Sequence, residues 1–131
     1  MNRSLFSSAS DRWATPSEVY DALNSEFNFT LDPCPLDGEG DGLSPLFCQW
    51  AGHRVFCNPP YGPGLGEWLK RAREADLAVY LIPARTDTRW FHELVLPLAS
   101  EIRFIKGRLR FGGQMNAAPF PSMVVVYRKE S

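Results

Sequence analysis

The four residues Asn58-Pro59-Pro60-Tyr61 are the part of this sequence best suited to chemistry. Two consecutive prolines fix φ and hold the loop stiff. The side-chain oxygen of Asn58 and the carbonyl of Pro59 can then both accept hydrogen bonds from one substrate NH2 group. An amino nitrogen conjugated into a flat ring is a weak nucleophile. Acceptors on both of its hydrogens favour the pyramidal geometry and the positive charge that develop during attack, which suits methyl transfer. No strong general base is required, because the methylated nitrogen is acidic enough to lose its proton to water. Alignment of nitrogen, methyl carbon and leaving group supplies most of the acceleration. Tyr61 adds a face on which a planar substrate stacks. The competing reading of the tetrapeptide is a rigid turn with an aromatic plug.

The surrounding elements must place this loop. Arg54-Val55-Phe56-Cys57 is a short apolar run that stops at the prolines, so it reads as a strand ending in a loop. The amphipathic segment Leu65 to Ala75 follows as a helix, with Leu65, Trp68, Leu69 and Ala72 on one face. Ala78 to Ile82 is a buried strand closed by Pro83, and Asp87 to Leu96 a second helix. Upstream, Thr15-Pro16-Ser17-Glu18 reads as a capped helix start, with Thr15 as N-cap, Pro16 as first helical residue and Glu18 completing a capping box. Phe29-Thr30-Leu31 is a short strand running into Asp32-Pro33-Cys34-Pro35, and the acidic, glycine-rich stretch from Leu36 to Ser44 is a loop. Ile102 to Ile105, Leu109 to Phe111 and Met123 to Tyr127 are strands, with turns at Gly107 and between Gly112 and Pro121. This order predicts an α/β, three-layer domain with a mixed sheet. In such sheets the ligand crevice lies beyond the carboxyl ends of the strands, where Asn58 falls.

At 131 residues the chain has room for one domain, expected over residues 1–131 with residues 1–12 flexible. The net charge of −1 excludes a strongly basic nucleic-acid binder, although Arg103, Lys106, Arg108 and Arg110 crowd one segment without an acid among them. No apolar run is long enough for a membrane span, and Met1 to Asp11 lacks the apolar core of a signal peptide, so a cytoplasmic protein is expected. Cys34, Cys48 and Cys57 are expected as reduced thiols, and with His53 and His92 they match no usual zinc spacing, so no metal is expected.

Five ordered stretches together resemble the phage-type DNA adenine-N6 methyltransferases, a compact Dam-like family. They are Trp13-Ala14-Thr15-Pro16; Leu31-Asp32-Pro33-Cys34; Val55 to Tyr61 with Trp68; Leu81 to Thr88 with Trp90-Phe91-His92; and Gly107 to Phe111 with Phe120-Pro121-Ser122. The resemblance runs from Trp13 to about Arg128. It implies a compact, reduced Rossmann-like class I methyltransferase fold and transfer of a methyl group from S-adenosyl-L-methionine to the N6 amine of adenine in DNA. Asn58, Pro59, Pro60 and Tyr61 would form the catalytic loop. Thr15, Pro16, Asp32, Pro33, Cys34 and Asp41 would hold the cofactor, and Tyr61, Arg85, Arg108 and Arg110 the DNA. A phage-encoded member would work in the cytoplasm of its host.

The residues also leave other readings open. Thr15 serves equally as a plain helix cap, Asp87 or Thr88 as the cap of the next helix, and the basic residues from Arg103 to Arg110 as the wet face of a hairpin. Asp37 and Glu39 read as a solvated acidic loop, and Trp68, Trp90 and Phe91 as core. No Gly-x-Gly follows Asp32, and only about 25 residues separate it from Asn58, too few for the usual strands and crossovers between such motifs, so part of the cofactor half of the sheet is expected to be missing. The tetrapeptide specifies a flat amine rather than a polymer. RNA bases, protein glutamine, and a catalytically inactive nucleic-acid-binding relative therefore stand as alternatives. Pairing into a homodimer would add DNA-contact surface, but the sequence leaves the oligomeric state open.

Overall fold

The computed structural model describes residues 13–34, 43, 48–111 and 117–129. Helix α1 (Ser17–Phe27) comes first, followed by β1 (Arg54–Cys57) and α2 (Leu65–Lys70), which tightens into a 3-10 turn over Arg71–Glu74. Strand β2 (Leu77–Pro83), a π-helical turn over Phe91–Val95, β3 (Glu101–Phe104) and β4 (Ser122–Arg128) complete the order. The sheet runs β1-β2-β4-β3, with β1 and β2 parallel and both β2 and β3 antiparallel to β4. The chain is thus α/β with an open, mixed, four-stranded sheet.

The strand core follows from sequence. Every residue of β2, Leu-Ala-Val-Tyr-Leu-Ile-Pro, is buried, as expected for an apolar run flanked by two strands and covered on both faces. Strand register assigns those faces. Phe56 pairs with Val79, and Cys57 with Tyr80, so Phe56 and Tyr80 point to opposite sides of the sheet. Tyr20 of α1 packs edge-on against Phe56 at 5.1 Å between ring centroids. On the other side the Tyr80 hydroxyl donates to the Trp68 carbonyl of α2 at 2.6 Å, and Tyr127 donates to the Leu94 carbonyl of the π-helical turn at 2.6 Å. Burial raises the pKa of both phenols, so they stay protonated donors.

Four local expectations need correction. First, Thr15 is not the cap of α1. Pro16 takes that place in an extended conformation (φ −59°, ψ 135°), its carbonyl accepts from Val19 N and Tyr20 N, and no side chain caps the helix. Second, the strand at 29–31 is a single parallel bridge from Leu31 to Val55, fixed by Thr30 N donating to the Arg54 carbonyl and Phe56 N to the Leu31 carbonyl. Asn28 causes the abrupt start: it ends α1 in the left-handed region (φ 55°) and leaves little chain to extend. Third, Leu109 to Phe111 form no strand. Gly107 turns the chain at φ +77°, Leu109 is held by one bond from Ala118 N, and Phe111 is drawn into an aromatic cluster instead of a ladder. Fourth, the helix expected from Asp87 starts after Thr88 and widens, with Leu96 N donating to the Phe91 carbonyl five residues back. No helix among the described residues is long and apolar enough to cross a membrane.

Arg103 ties the end of α1 to the sheet. Its guanidinium grips Glu26 with two bonds, at 2.7 and 2.6 Å, and Glu101 at 2.5 Å, while lying 5.3 Å over the Phe27 ring. The Arg103 hydrogen bond lowers the pKa of both Glu26 and Glu101 below 4.5. A depressed carboxylate contributes stability that is present above its ordinary pKa and lost as pH falls through the lowered value. Arg103→Met should therefore lower the urea midpoint at pH 7, and its deficit against wild type should shrink on acidification from about pH 5 to about pH 3. A deficit independent of pH would show that Arg103 contributes by packing alone.

Candidate active site

The segment before α1 meets the loop after β1 at Asn58. The residue follows β1 directly, and its side chain is buried, with 8% of the residue exposed. Its amide nitrogen donates to the Trp13 carbonyl and to Thr15 Oγ1, the latter at 2.9 Å. Its oxygen accepts from the Tyr61 hydroxyl at 2.7 Å. A carboxamide has two donor hydrogens and two acceptor lone pairs. Both hydrogens are therefore spent inward, and one lone pair of Oδ1 is left for a further donor. The amide cannot be reversed at no cost, because a flipped oxygen would face the Trp13 carbonyl.

Tyr61 has one hydroxyl hydrogen and two acceptors, Asn58 Oδ1 and the Leu81 carbonyl, the latter at 2.9 Å. Burial pushes its pKa well above 10, which keeps the phenol a donor. The ring stands edge-on to Phe120 and Phe111, at 5.6 and 6.3 Å between centroids, and Trp13 meets the same two rings at 5.3 and 5.5 Å. This corrects one expectation. With 7% of Tyr61 exposed and its ring enclosed by other aromatics, the face expected to stack on a base is not presented in this conformation. Tyr61 instead braces Asn58. Pro59 is buried and Pro60 half-buried, so the prolines stiffen the loop from within the fold.

Of the expected cofactor residues, Thr15, Pro16, Asp32, Pro33 and Cys34 lie among those described. Thr15 contacts Asn58, and buried Pro16 caps α1. Asp32 sits at the end of the Leu31 bridge, exposed, and accepts from Cys34 N at 3.0 Å, forming a small turn over buried Pro33. Asp32 and Cys34 both contribute to the raised pKa of the Cys57 thiol, after desolvation by burial, which places that turn in the electrostatic neighbourhood of β1. Asp41, Asp37 and Glu39 lie outside the described residues. Among the expected DNA contacts, Arg85 is exposed just beyond β2, 5.7 Å over the Phe120 ring. Arg108 and Arg110 are also exposed, and Arg108 donates to the Ala118 carbonyl at 3.4 Å. Arg103 is withdrawn from a phosphate-binding role by its two glutamates. Thr88 caps the following turn, accepting from Phe91 N at 3.2 Å.

The model of the DNA N-6-adenine-methyltransferase (Dam) family matches residues 3–130. This chain belongs to the Dam family. No curated protein and no solved structure matches it. Membership in the Dam family indicates a DNA adenine methyltransferase, and the flat-amine chemistry read from Asn58 agrees with it.

Sequence reasoning missed two contacts in this Dam-family chain, one at Asn58 and one away from it. The Trp13 carbonyl is a backbone atom and carries no sequence signal. Arg71 donates to the carbonyls of Leu43 and Cys48, at 2.6 and 3.0 Å, and covers the Trp50 ring at 5.0 Å. Its signal was legible: a long cation at the i+3 position from Trp68, beside Ala72 on the apolar face of the segment from Leu65 to Ala75.

Tyr61→Phe deprives Asn58 Oδ1 and the Leu81 carbonyl of their shared donor. It should destabilise the fold by about 1–3 kcal/mol in urea titration with an unchanged m-value. A loss below about 0.5 kcal/mol would mean that the hydroxyl is not engaged as described.

Proposed function

We propose that this Dam-family protein is an S-adenosyl-L-methionine-dependent, site-specific DNA methyltransferase that acts on the exocyclic N6 of adenine. The observation that carries the reading is the state of the Asn58 amide. Its hydrogens are consumed by Trp13 and Thr15, its oxygen keeps an acceptor position, and it lies at the carboxyl end of a parallel strand. An amine N–H fits that acceptor, whereas a carbonyl or carboxylate would meet lone pairs. The helices on both faces of the sheet and the parallel Leu31–β1–β2 edge support a compact, reduced, Rossmann-like class I arrangement in three layers.

The residues present suit the cofactor. Its amino-acid end carries a carboxylate and an ammonium, and the chain offers the N-terminus of α1 beside Thr15 for the first and the exposed Asp32 carboxylate for the second or for a ribose hydroxyl. Pro16, Pro33 and Cys34 would shape these turns. When bound, S-adenosyl-L-methionine supplies an electrophilic methyl group on a positively charged sulfur.

The chain's own contribution is orientation and charge stabilisation. Asn58 Oδ1 and the Pro59 carbonyl accept the two N–H bonds of the adenine amine and hold its lone pair in line for attack. The substrate N–H takes the lone pair of Oδ1 that Tyr61 does not use, so the phenol keeps its bonds to Asn58 and Leu81 while the amine is held. The positive charge that the amine nitrogen would gain on accepting a methyl group would be met by both acceptors until its proton left to water. The exposed Arg85, Arg108 and Arg110 would meet phosphates of the DNA.

Purified protein given methyl-labelled cofactor and separate pools of duplex DNA, single-stranded DNA, RNA and protein should label DNA, in N6-methyladenine. Label confined to RNA or protein, or absent from every pool, would overturn the reading. Asn58→Ala should abolish transfer, a loss of about 100-fold or more, while calorimetric affinity for the cofactor stays within about twofold. Loss of cofactor binding in parallel would contradict a role at the amine.

A further inference from the structure

We propose that Thr15 acts on the reaction through Asn58, as a positioning residue, rather than by holding the cofactor. The inference rests on the functional reading above and deepens it. The terminal torsion of an asparagine is soft and broad, so the amide plane needs outside contacts to define it. The Trp13 carbonyl decides which end of the amide points inward, since a carbonyl can only accept. One contact leaves the plane free to rock. The second nitrogen contact, Thr15 Oγ1 at 2.9 Å, fixes the plane and with it the direction of the free Oδ1 lone pair.

The rest of the local structure is arranged around that contact. Thr15 lies one residue before the cap of α1, and at the cap itself a threonine would turn its hydroxyl back onto the first turn. Here Pro16 occupies the cap position and no side chain bonds the first turn, so the hydroxyl is directed to the 58 loop. Trp13 is clamped edge-on by Phe111 and Phe120, which holds its carbonyl in place. The same two rings pack against Tyr61, which braces the other end of the amide. Thr15 thus closes a rigid frame on three sides of Asn58.

Thr15→Val keeps the shape of the side chain and removes the acceptor, whereas Thr15→Ser keeps the acceptor. With saturating cofactor and DNA, Thr15→Val is expected to lower kcat for methyl transfer by about 10- to 100-fold. Thr15→Ser should recover most of that loss, and cofactor Kd should stay within about twofold in both. A wild-type kcat in Thr15→Val, or a deficit that disappears when the cofactor concentration is raised, would overturn the proposal in favour of a cofactor contact. A stability cycle reads the same bond without activity: Thr15→Val should lower Tm in the wild-type background and by less than half as much in Asn58→Ala. Equal Tm shifts in both backgrounds would overturn it. Should wild-type protein label no DNA, the functional reading fails, and the cycle alone decides whether Thr15 positions Asn58.

Discussion

The candidate site depends on how one carboxamide shares out its four hydrogen-bonding positions. Asn58 gives both hydrogens to the segment before α1 and one lone pair to Tyr61, which leaves a single acceptor direction. A buried amide with fewer partners would rotate or attract water, and one with all four satisfied would have nothing to offer a substrate. The fold provides three partners from two places: a backbone carbonyl at Trp13 and a hydroxyl at Thr15 before α1, and a phenol at Tyr61 within the loop itself. None is a group whose charge changes near neutral pH, so the frame holds its shape there.

That arrangement explains why a small four-stranded sheet suffices. β1 needs only the length to deliver Cys57 and Asn58 to the sheet edge, and β2 beside it supplies the Leu81 carbonyl that receives Tyr61. The antiparallel return through β4 brings Phe120 to the same end, where with Phe111 it anchors Trp13. Arg103 fastens α1 to β3 at the far end of the helix, so the N-terminal segment that holds Asn58 is set on a fixed element. Tertiary anchoring replaces the helix cap that local sequence would have favoured, since the Thr15 hydroxyl serves Asn58 instead of α1.

Much of this could be read before any coordinates. The apolar runs at 54–57, 78–82 and 123–127 lie within the strands observed, because buried parallel and central strands write themselves as unbroken hydrophobic sequence. The tetrapeptide at 58–61 was legible because two prolines after a strand leave few alternatives. What could not be read was contact across distance. Nothing in Tyr61 or Phe111 says that their rings meet edge-on, and this is why the tyrosine was expected to show a face it keeps covered. Likewise Leu109 to Phe111 has the alternation of a strand, but burying Phe111 beside Trp13 wins over a ladder that Gly107 has already broken. Thr15 and Pro16 carry a helix-start signal that is correct about place and wrong about role.

The central claim is that both side-chain hydrogens of Asn58 are held inward. Side-chain amide exchange in a nitrogen-15-labelled sample, followed by NMR, measures this directly, with exposed Asn28 as internal reference. The two Asn58 protons should exchange at least about tenfold more slowly than those of Asn28, as hydrogen-bonded groups protected from solvent do. Exchange as fast as that of Asn28 would contradict the account, since an amide free to turn could not present one fixed acceptor to a substrate.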